Sequence, residues 1–354
     1  MNDKPLSGLK VLELASVLAG PAVGTFMAEL GADVVKVENP KVGGDVTRSW
    51  KLTSEDPNAT VSAYFASVNY GKQHLFHDLN EADSLKAVQQ LAYQADIIVA
   101  NYRVGQAERF GLDAASVHAK NPKAIYANIT GFGAHDDRPA FDVVLQAETG
   151  YMFMNGQPDS DPTKMPVALI DVLAAHQLKE GILLALLHRE RTGKGQAVEV
   201  SLFDAAISAL TNQASNWLMA QHVPQRLGSL HPNIAPYGEI LKSKDGKLLV
   251  LAVGSEKQFE ALCTVLGLSA LARDSRFVGN QNRVVNRTVL QQLLSEKVAQ
   301  LESAPLMDAL LQANVPTGMI RNMQEVFEDE RAWQMVNDDD GAKRVSQIAF
   351  RWKG

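Results

Sequence analysis

Residues 9–38 open with Leu9-Lys10-Val11-Leu12-Glu13-Leu14, turn through Ala19-Gly20-Pro21, run apolar from Ala22 to Leu30, stop at Gly31 and resume as Ala32-Asp33-Val34-Val35-Lys36-Val37-Glu38. The first segment alternates as a strand does, the middle has the length of a short helix, and the last is a second strand with a Val-Val-Lys-Val centre. Strand, glycine turn, helix and strand in succession form a βαβ unit of a parallel sheet, so the chain is read as α/β and as opening a Rossmann-like domain. Glu38 ends the second strand where the ribose-binding acid of a dinucleotide site would stand. The turn itself, Ser16-Val17-Leu18-Ala19-Gly20-Pro21-Ala22-Val23-Gly24, lacks G-x-G-x-x-G and carries a proline where a pyrophosphate needs close backbone approach. A nicotinamide enzyme is therefore set aside.

Outward from this unit the pattern continues. Val42 to Tyr64 reads as a surface loop, Asn69-Tyr70-Gly71-Lys72 as a turn before a strand through Leu79, and Glu81 to Ala95 as an amphipathic helix. Asp96 to Ala100 is a buried strand that runs into Asn101-Tyr102-Arg103, with Arg109-Phe110-Gly111 shortly after. Ala124 to Ile129 is another strand, followed by Thr130-Gly131-Phe132-Gly133. Strands that each end in a polar or glycine turn line up a crevice at the carboxyl edge of an open sheet. His135-Asp136-Asp137-Arg138-Pro139 reads as a polar turn before a proline. Asp142 and Gln146 are one helical turn apart on one face, and Gly150 closes that helix.

Pro166-Val167-Ala168-Leu169-Ile170 reads as a short buried segment, after which Asp171 starts a helix marked by Leu178, Ile182, Leu183, Leu186 and Leu187 and ended by Gly193 and Gly195. Asp171 has two readings. It caps the helix by accepting orphan amide protons, or the amides and the helix dipole hold it ionised beside apolar walls as a nucleophile. Arg191-Thr192-Gly193-Lys194-Gly195 is no Walker motif, since His188 stands at the first glycine position and Gly195 at the Ser/Thr position. A helix follows to about Leu218, and a polar linker after it. Pro236-Tyr237-Gly238, the strand Ile240-Leu241, the turn Lys244-Asp245-Gly246 and the strand Leu248 to Val253 make a hairpin, with helices over Gln258 to Leu268 and Val289 to Leu301. The expected organisation is a large domain over 1–220 and 315–354, a linker over 221–235 and a small α+β domain over 236–314. Residues 337–340, Asn-Asp-Asp-Asp, read as a solvated turn.

The chain has 354 residues, 46% hydrophobic and 21% charged, with a net charge of −6. That is an ordinary globular composition with room for two domains, and its charge argues against a nucleic-acid or acidic-membrane surface. An anionic ligand has to be met by individually placed cations. The single cysteine, Cys263, makes no internal disulfide, and the N-terminus lacks a secretory pattern, so a cytoplasmic location is expected. No uninterrupted run of about 18 apolar residues reads as a membrane span. No metal site is expected.

Taken together, several of these stretches resemble the family III CoA-transferases. They are Leu6-Ser7-Gly8-Leu9-Lys10-Val11-Leu12-Glu13 with Ala19-Gly20-Pro21, Leu30-Gly31-Ala32 through Glu38, Asp142-x-x-x-Gln146-Ala147-x-x-Gly150, Asp171 with its helix, Arg191 through Gln196, and His231-Pro232-Asn233-Ile234-Ala235-Pro236-Tyr237-Gly238. The resemblance implies an interlocked homodimer of ring-like chains, and an enzyme that moves CoA from an acyl-CoA thioester to a small carboxylic acid. CoA enters as substrate, with no permanently bound cofactor. It places the nucleophile on Asp171. It places CoA contacts on Leu18, Ala19, Asn39, Asn69, Tyr70, Gly71, Lys72, Asn101, Tyr102, Arg103, Arg109, Thr130, Gly131, Phe132 and Gly133, with Lys72, Arg103 and Arg109 facing the phosphates.

The alternative within the same fold is an acyl-CoA racemase or epimerase, which exchanges the α-proton with a histidine and an aspartate. Phe141-Asp142 stands at the position of that His-Asp pair, so one of the two bases is missing. Arg226 to Gly238 also lacks the glycine run that forms the lid of formyl-CoA:oxalate transferases. Members of the family usually continue beyond the position of Gly354 through a proline-rich segment and a final helix.

Overall fold

The computed structural model describes residues 4–339 and 341–351. The chain divides into two compact units, one of residues 1–151, 164–222 and 331–354, the other of residues 152–163 and 223–330.

The first unit is built on a six-stranded sheet of β1 (Lys10–Leu14), β2 (Asp33–Glu38), β3 (Lys72–Phe76), β4 (Ile97–Ala100), β5 (Ile125–Thr130) and β6 (Ala197–Ser201). The strands are parallel throughout, in the order β3-β2-β1-β4-β5-β6. Chain direction reverses its march across the sheet between β1 and β4, and at such a switch point the loops leaving the two strands splay apart and open a crevice. All of Ile97, Ile98, Val99 and Ala100 are fully buried, as a central strand covered on both faces must be. One face is covered by the helix Ala19–Glu29 and by the helix Leu169–Thr192, which packs on it through Ile170, Ala174, Leu178 and Ile182. The first of these helices lies close to β1 because it presents glycines there. A methyl added at Gly20 would meet the Ala15 Cβ at 2.3 Å, and one at Gly24 would meet the Glu13 Oε2 at 1.8 Å.

Several elements differ from the reading of the sequence. The third strand stops at Phe76 rather than Leu79. The long helix begins at Leu169 with Ala168 as N-cap, so Asp171 lies inside its first turn and does not cap it. The helix expected to run to Leu218 is two, Leu202–Ser208 and Thr211–Ala220, divided where Thr211 takes a φ of 45°. The expected solvated turn at 337–340 is largely strand, with Val336–Asp339 antiparallel to Ala342–Val345, while Asp340 lies outside the described residues.

The second unit is a three-stranded antiparallel sheet of β7 (Tyr237–Lys242), β8 (Leu248–Ala252) and β9 (Thr317–Met319). Helices Glu256–Val265, Arg287–Val298 and Ser303–Gln312 cover it around a core that contains Phe259, Phe277 and Cys263. The unit therefore continues past 314. Thr317 to Met319 pairs with Leu251 to Leu249 as the third strand, and the return to the large unit falls at 331.

Candidate active site

At the switch point the chain leaves β1 into Ser16 and leaves β4 into Asn101, and the two residues grip each other. The Ser16 N–H donates to Asn101 Oδ1 at 3.1 Å, and Asn101 Nδ2 donates to the Ser16 carbonyl at 3.0 Å. Around them lies a cavity of about 420 Å³, lined among others by Ser16, Asn39, Asn80, Asn101, Tyr102, Arg103 and Arg109. An adjoining cavity of about 270 Å³ shares Asn101, Tyr102 and Arg103 and adds Thr130 and Gly131. Two exposed guanidinium-bearing residues, Arg103 on the loop after β4 and Arg109 at the end of the short helix Gln106–Arg109, thus line one crevice. Arg103 Nη2 donates to the Asp137 carbonyl at 3.2 Å and Arg109 Nη2 to Asn80 Oδ1 at 2.5 Å, and neither acceptor is a carboxylate.

The remaining expected CoA contacts fall elsewhere. Ala19 is buried, and Leu18 packs against the core. Phe132 also packs there, beside Phe203 and beneath the Arg138 guanidinium at 3.7 Å, while Gly133 takes a φ of 100° in the next turn. Asn69 and Tyr70 line a separate cavity of about 220 Å³ with Arg48 and Arg344, and the Arg344 guanidinium stacks on the Tyr70 ring at 3.9 Å. Gly71 makes the turn into β3 with a φ of 65°. The expectation for Lys72 is corrected. Its side chain is fully buried, paired with Glu13 Oε2 at 2.7 Å and donating to the carbonyls of Pro21 and Val68, so its ammonium does not reach a phosphate.

Lys72 belongs to a buried chain of alternating charges that the sequence reading did not find. Lys36 Nζ lies 2.8 Å from Glu13 Oε1 and 3.0 Å from Asp45 Oδ2, and donates to the Ala15 carbonyl at 2.6 Å. Burial works against the Glu13 charge, but Lys36 and Lys72 together outweigh it and hold the carboxyl below the usual range. Burial pushes the Lys72 ammonium down to about 8. Glu38, considered above for a ribose, is engaged instead by Arg48 at 2.7 Å, by His74 at 2.7 Å and by the Asp45 N–H at 2.8 Å. A signal for part of this lay in the register, because Glu13 of β1 sits directly beside Lys36 of β2. Asp45, by contrast, comes from a loop. It accepts from the N–H of Val17, a β-branched residue held at a φ of 74°, a conformation that costs about 1–3 kcal/mol.

Asp171 is buried, with 8% of its surface exposed. Among the described residues nothing donates a hydrogen bond to its carboxylate. The opening amides of its helix go to another acid: Asp142 Oδ1 accepts from the Ile170 N–H at 2.7 Å and, at 3.4 Å, from that of Asp171. Asp142 Oδ2 accepts from Gln146 Nε2 at 2.5 Å, and Gln146 Oε1 accepts from the Met165 N–H at 2.8 Å. Asp142 and Gln146 do share a helix face, and both are buried. The expectation that amides hold Asp171 ionised is therefore reversed. Burial, and then the Asp142 charge, push its carboxyl up to about 7. Tyr64, edge-on to Trp50 at 5.1 Å, has its phenol pushed up to about 12 by burial and then by Asp171, Asp142 and Asp45. These acids therefore share one neighbourhood.

A buried carboxylate raised to about 7 suits acyl chemistry, and a crevice lined by Arg103 and Arg109 suits an anionic carrier. Comparison with known proteins gives the family. Residues 6–353 match the model of CoA-transferase family III. Succinate–glutarate CoA-transferase of Agrobacterium fabrum is 39% identical over 331 residues, 92% of this chain and 82% of that protein. Succinyl-CoA:mesaconate CoA-transferase of Haloarcula hispanica is 35% identical over 98% of this chain and 88% of its own length. Among solved structures, a CAIB/BAIF family protein from Brucella suis superposes with a TM-score of 0.85 at 38% identity, covering 99% of this chain and 93% of that one. The chain belongs to CoA-transferase family III and is a CoA-transferase.

Proposed function

We propose that Asp171 relays CoA from an acyl-CoA thioester to a carboxylic acid acceptor through covalent aspartyl intermediates. The observation that carries this reading is a buried carboxylate, free of protein hydrogen bonds among the described residues and raised to about 7, at the head of the Leu169–Thr192 helix. An Asp171 oxygen attacks the thioester carbonyl, the C–S bond breaks, and a mixed anhydride and CoA thiolate result. The thiolate then attacks the Asp171 carbonyl and releases the donor acid, leaving an aspartyl-CoA thioester. The acceptor carboxylate attacks that thioester to give a second anhydride and thiolate, and return of the thiolate to the acceptor's acyl carbon yields the new acyl-CoA and restores Asp171. Either intermediate is open to hydrolysis, so exclusion of water is part of the function, and the apolar burial of Asp171 serves it.

The relatives are named for succinate, glutarate and mesaconate, which favours dicarboxylic acids as donor and acceptor here. Arg103 and Arg109, with Asn39, Asn101, Tyr102, Thr130 and Gly131, take the nucleotide end of CoA. The racemase reading is disfavoured because Phe141 supplies no base and Asp142 is committed to helix amides and Gln146. The protein acts as a homodimer in the cytoplasm. Exposed Leu184, Leu187, Leu218 and Met219 in the first unit supply apolar surface for a second copy, and a lone buried Cys263 suits a reducing compartment. Incubation with succinyl-CoA and glutarate followed by mass spectrometry tests the activity, and hydroxylamine added during turnover should convert Asp171 to its hydroxamate. Transfer without any adduct at Asp171 would overturn the covalent route.

A further inference from the structure

We infer that Asp45 is a positioning residue for the acyl-CoA ligand, holding the Ser16-Val17-Leu18 turn in a left-handed shape that its own sequence disfavours. The inference rests on the CoA reading above for its ligand but not for its geometry. Val17 takes a φ of 74°, a region in which a β-branched side chain is an outlier, so something outside the turn must hold it. That something is the Asp45 carboxylate, whose two oxygens lie 3.4 and 3.2 Å from the Val17 N. Asp45 is itself immobilised. Thr47 donates to it from N at 3.1 Å and from Oγ1 at 2.8 Å, Lys36 pairs with it at 3.0 Å, and its own N–H donates to Glu38.

The rest of the turn is pinned as well. Asn101 holds both main-chain polar groups of Ser16, Lys36 takes the Ala15 carbonyl and Lys72 the Pro21 carbonyl. A single main-chain stretch, residues 15–21, thus receives two buried ammoniums, one buried carboxylate and one carboxamide. Its outer side is the wall that Ala15 and Ser16 give to the 420 Å³ cavity. Its far end starts the Ala19–Glu29 helix, whose N-cap, Leu18, offers its amides no side-chain cap. The backbone angle at Val17 therefore sets both the wall of the cavity and the direction in which the helix opens. A strained turn fixed from a distant loop beside a ligand cavity is pre-organisation, which spares the ligand the cost of ordering it.

The test uses Asp45→Ala, Asp45→Asn and the double variant Asp45→Ala with Val17→Gly in the full chain, since glycine adopts the left-handed turn without a clamp. Free CoA affinity is measured by calorimetry, amide exchange across 16–19 by mass spectrometry, and folding by circular dichroism. Asp45→Ala should weaken CoA binding at least tenfold and speed exchange at Val17. Asp45→Asn, which keeps an acceptor, should lose less, and Val17→Gly should restore threefold or more of the lost affinity without restoring melting temperature. Unchanged exchange and affinity in folded Asp45→Ala overturn the inference, as does a loss that Val17→Gly leaves untouched. If Asp45→Ala does not fold, faster Val17 exchange in Asp45→Asn supports the clamp and unchanged exchange overturns it. A wild-type chain that binds no CoA would sink the CoA reading, while the exchange comparison would still decide the clamp.

Discussion

Asp142 Oδ1 lies 2.7 Å from the Ile170 amide nitrogen, so the carboxylate that caps the long helix comes from a residue 28 positions upstream and not from Asp171 within the helix. Asp171 is left without those amides, and burial, followed by the Asp142 charge, pushes its carboxyl up to about 7. Because the nucleophile is the ionised form, kcat/KM should rise with pH to a plateau with a midpoint near 7. Asp142→Asn removes the like charge but not the burial, so the midpoint should move down partway toward the ordinary carboxylate value. A rate flat between about pH 5.5 and 8.5 would show that Asp171 titrates elsewhere.

The same shift makes Asp171 a stability cost. Its folded pKa, about 7, is above the unfolded value near 4. Over that interval the native state holds a proton the unfolded state has released, so stability falls as pH rises from about 4 to 7 and stays lowered beyond. Asp171→Asn should abolish transfer, on the order of 10⁴-fold, and stabilise the fold at pH 8 by about 1–4 kcal/mol. Urea melts at pH 4 and pH 8 check this: the gain should be small at the lower pH and full at the higher. An equal gain at both would assign the effect to packing.

How much of this was legible in the sequence depends on whether the partner was near in the chain. The β1-helix-β2 unit, the loops that leave β4 at Asn101 and β5 at Thr130 and the shared face of Asp142 and Gln146 all follow from local periodicity. The cap on the Leu169 helix does not, because no pattern inside Pro166 to Asp171 can show that an oxygen from residue 142 fills the N-cap role. Lys72 was misplaced for a similar reason. Asn69-Tyr70-Gly71-Lys72 has the composition of a solvated turn, and only the fold brings Glu13 beneath it. Thr317 to Met319 was too short to read as a strand without β8 beside it.

Arg103 and Arg109 should therefore behave differently from Lys72. Their guanidiniums line the crevice and pair with no carboxylate among the described residues, and losing one charge-assisted contact to a phosphate costs about 1.5–3 kcal/mol. Arg103→Ala and Arg109→Ala should each weaken CoA binding by roughly 10- to 100-fold, with a shallower dependence of affinity on salt and little change in melting temperature. Lys72→Met should instead lower melting temperature, because it leaves Glu13 with one ammonium fewer in a fully buried site. Calorimetry at two ionic strengths, beside thermal melts, separates the cases.

Gly24 gives the sharpest packing test. In an exposed helix, Gly→Ala stabilises by about 1 kcal/mol. Here the new methyl would stand 1.8 Å from Glu13 Oε2, the oxygen that pairs with Lys72 at 2.7 Å. Either the helix moves off β1 or the carboxylate turns away from its ammonium. Parting a buried ion pair costs about 3–5 kcal/mol, which outweighs the helix propensity. Gly24→Ala should thus destabilise by a few kcal/mol in urea titration with an unchanged m-value. Because the Lys72 contact to the Pro21 carbonyl ties this pair to the first turn of the helix, next to the Ser16-Val17-Leu18 turn, the same variant should also speed amide exchange at residues 16–19. A variant as stable as the parent would mean that the helix does not rest on the Glu13–Lys72 pair.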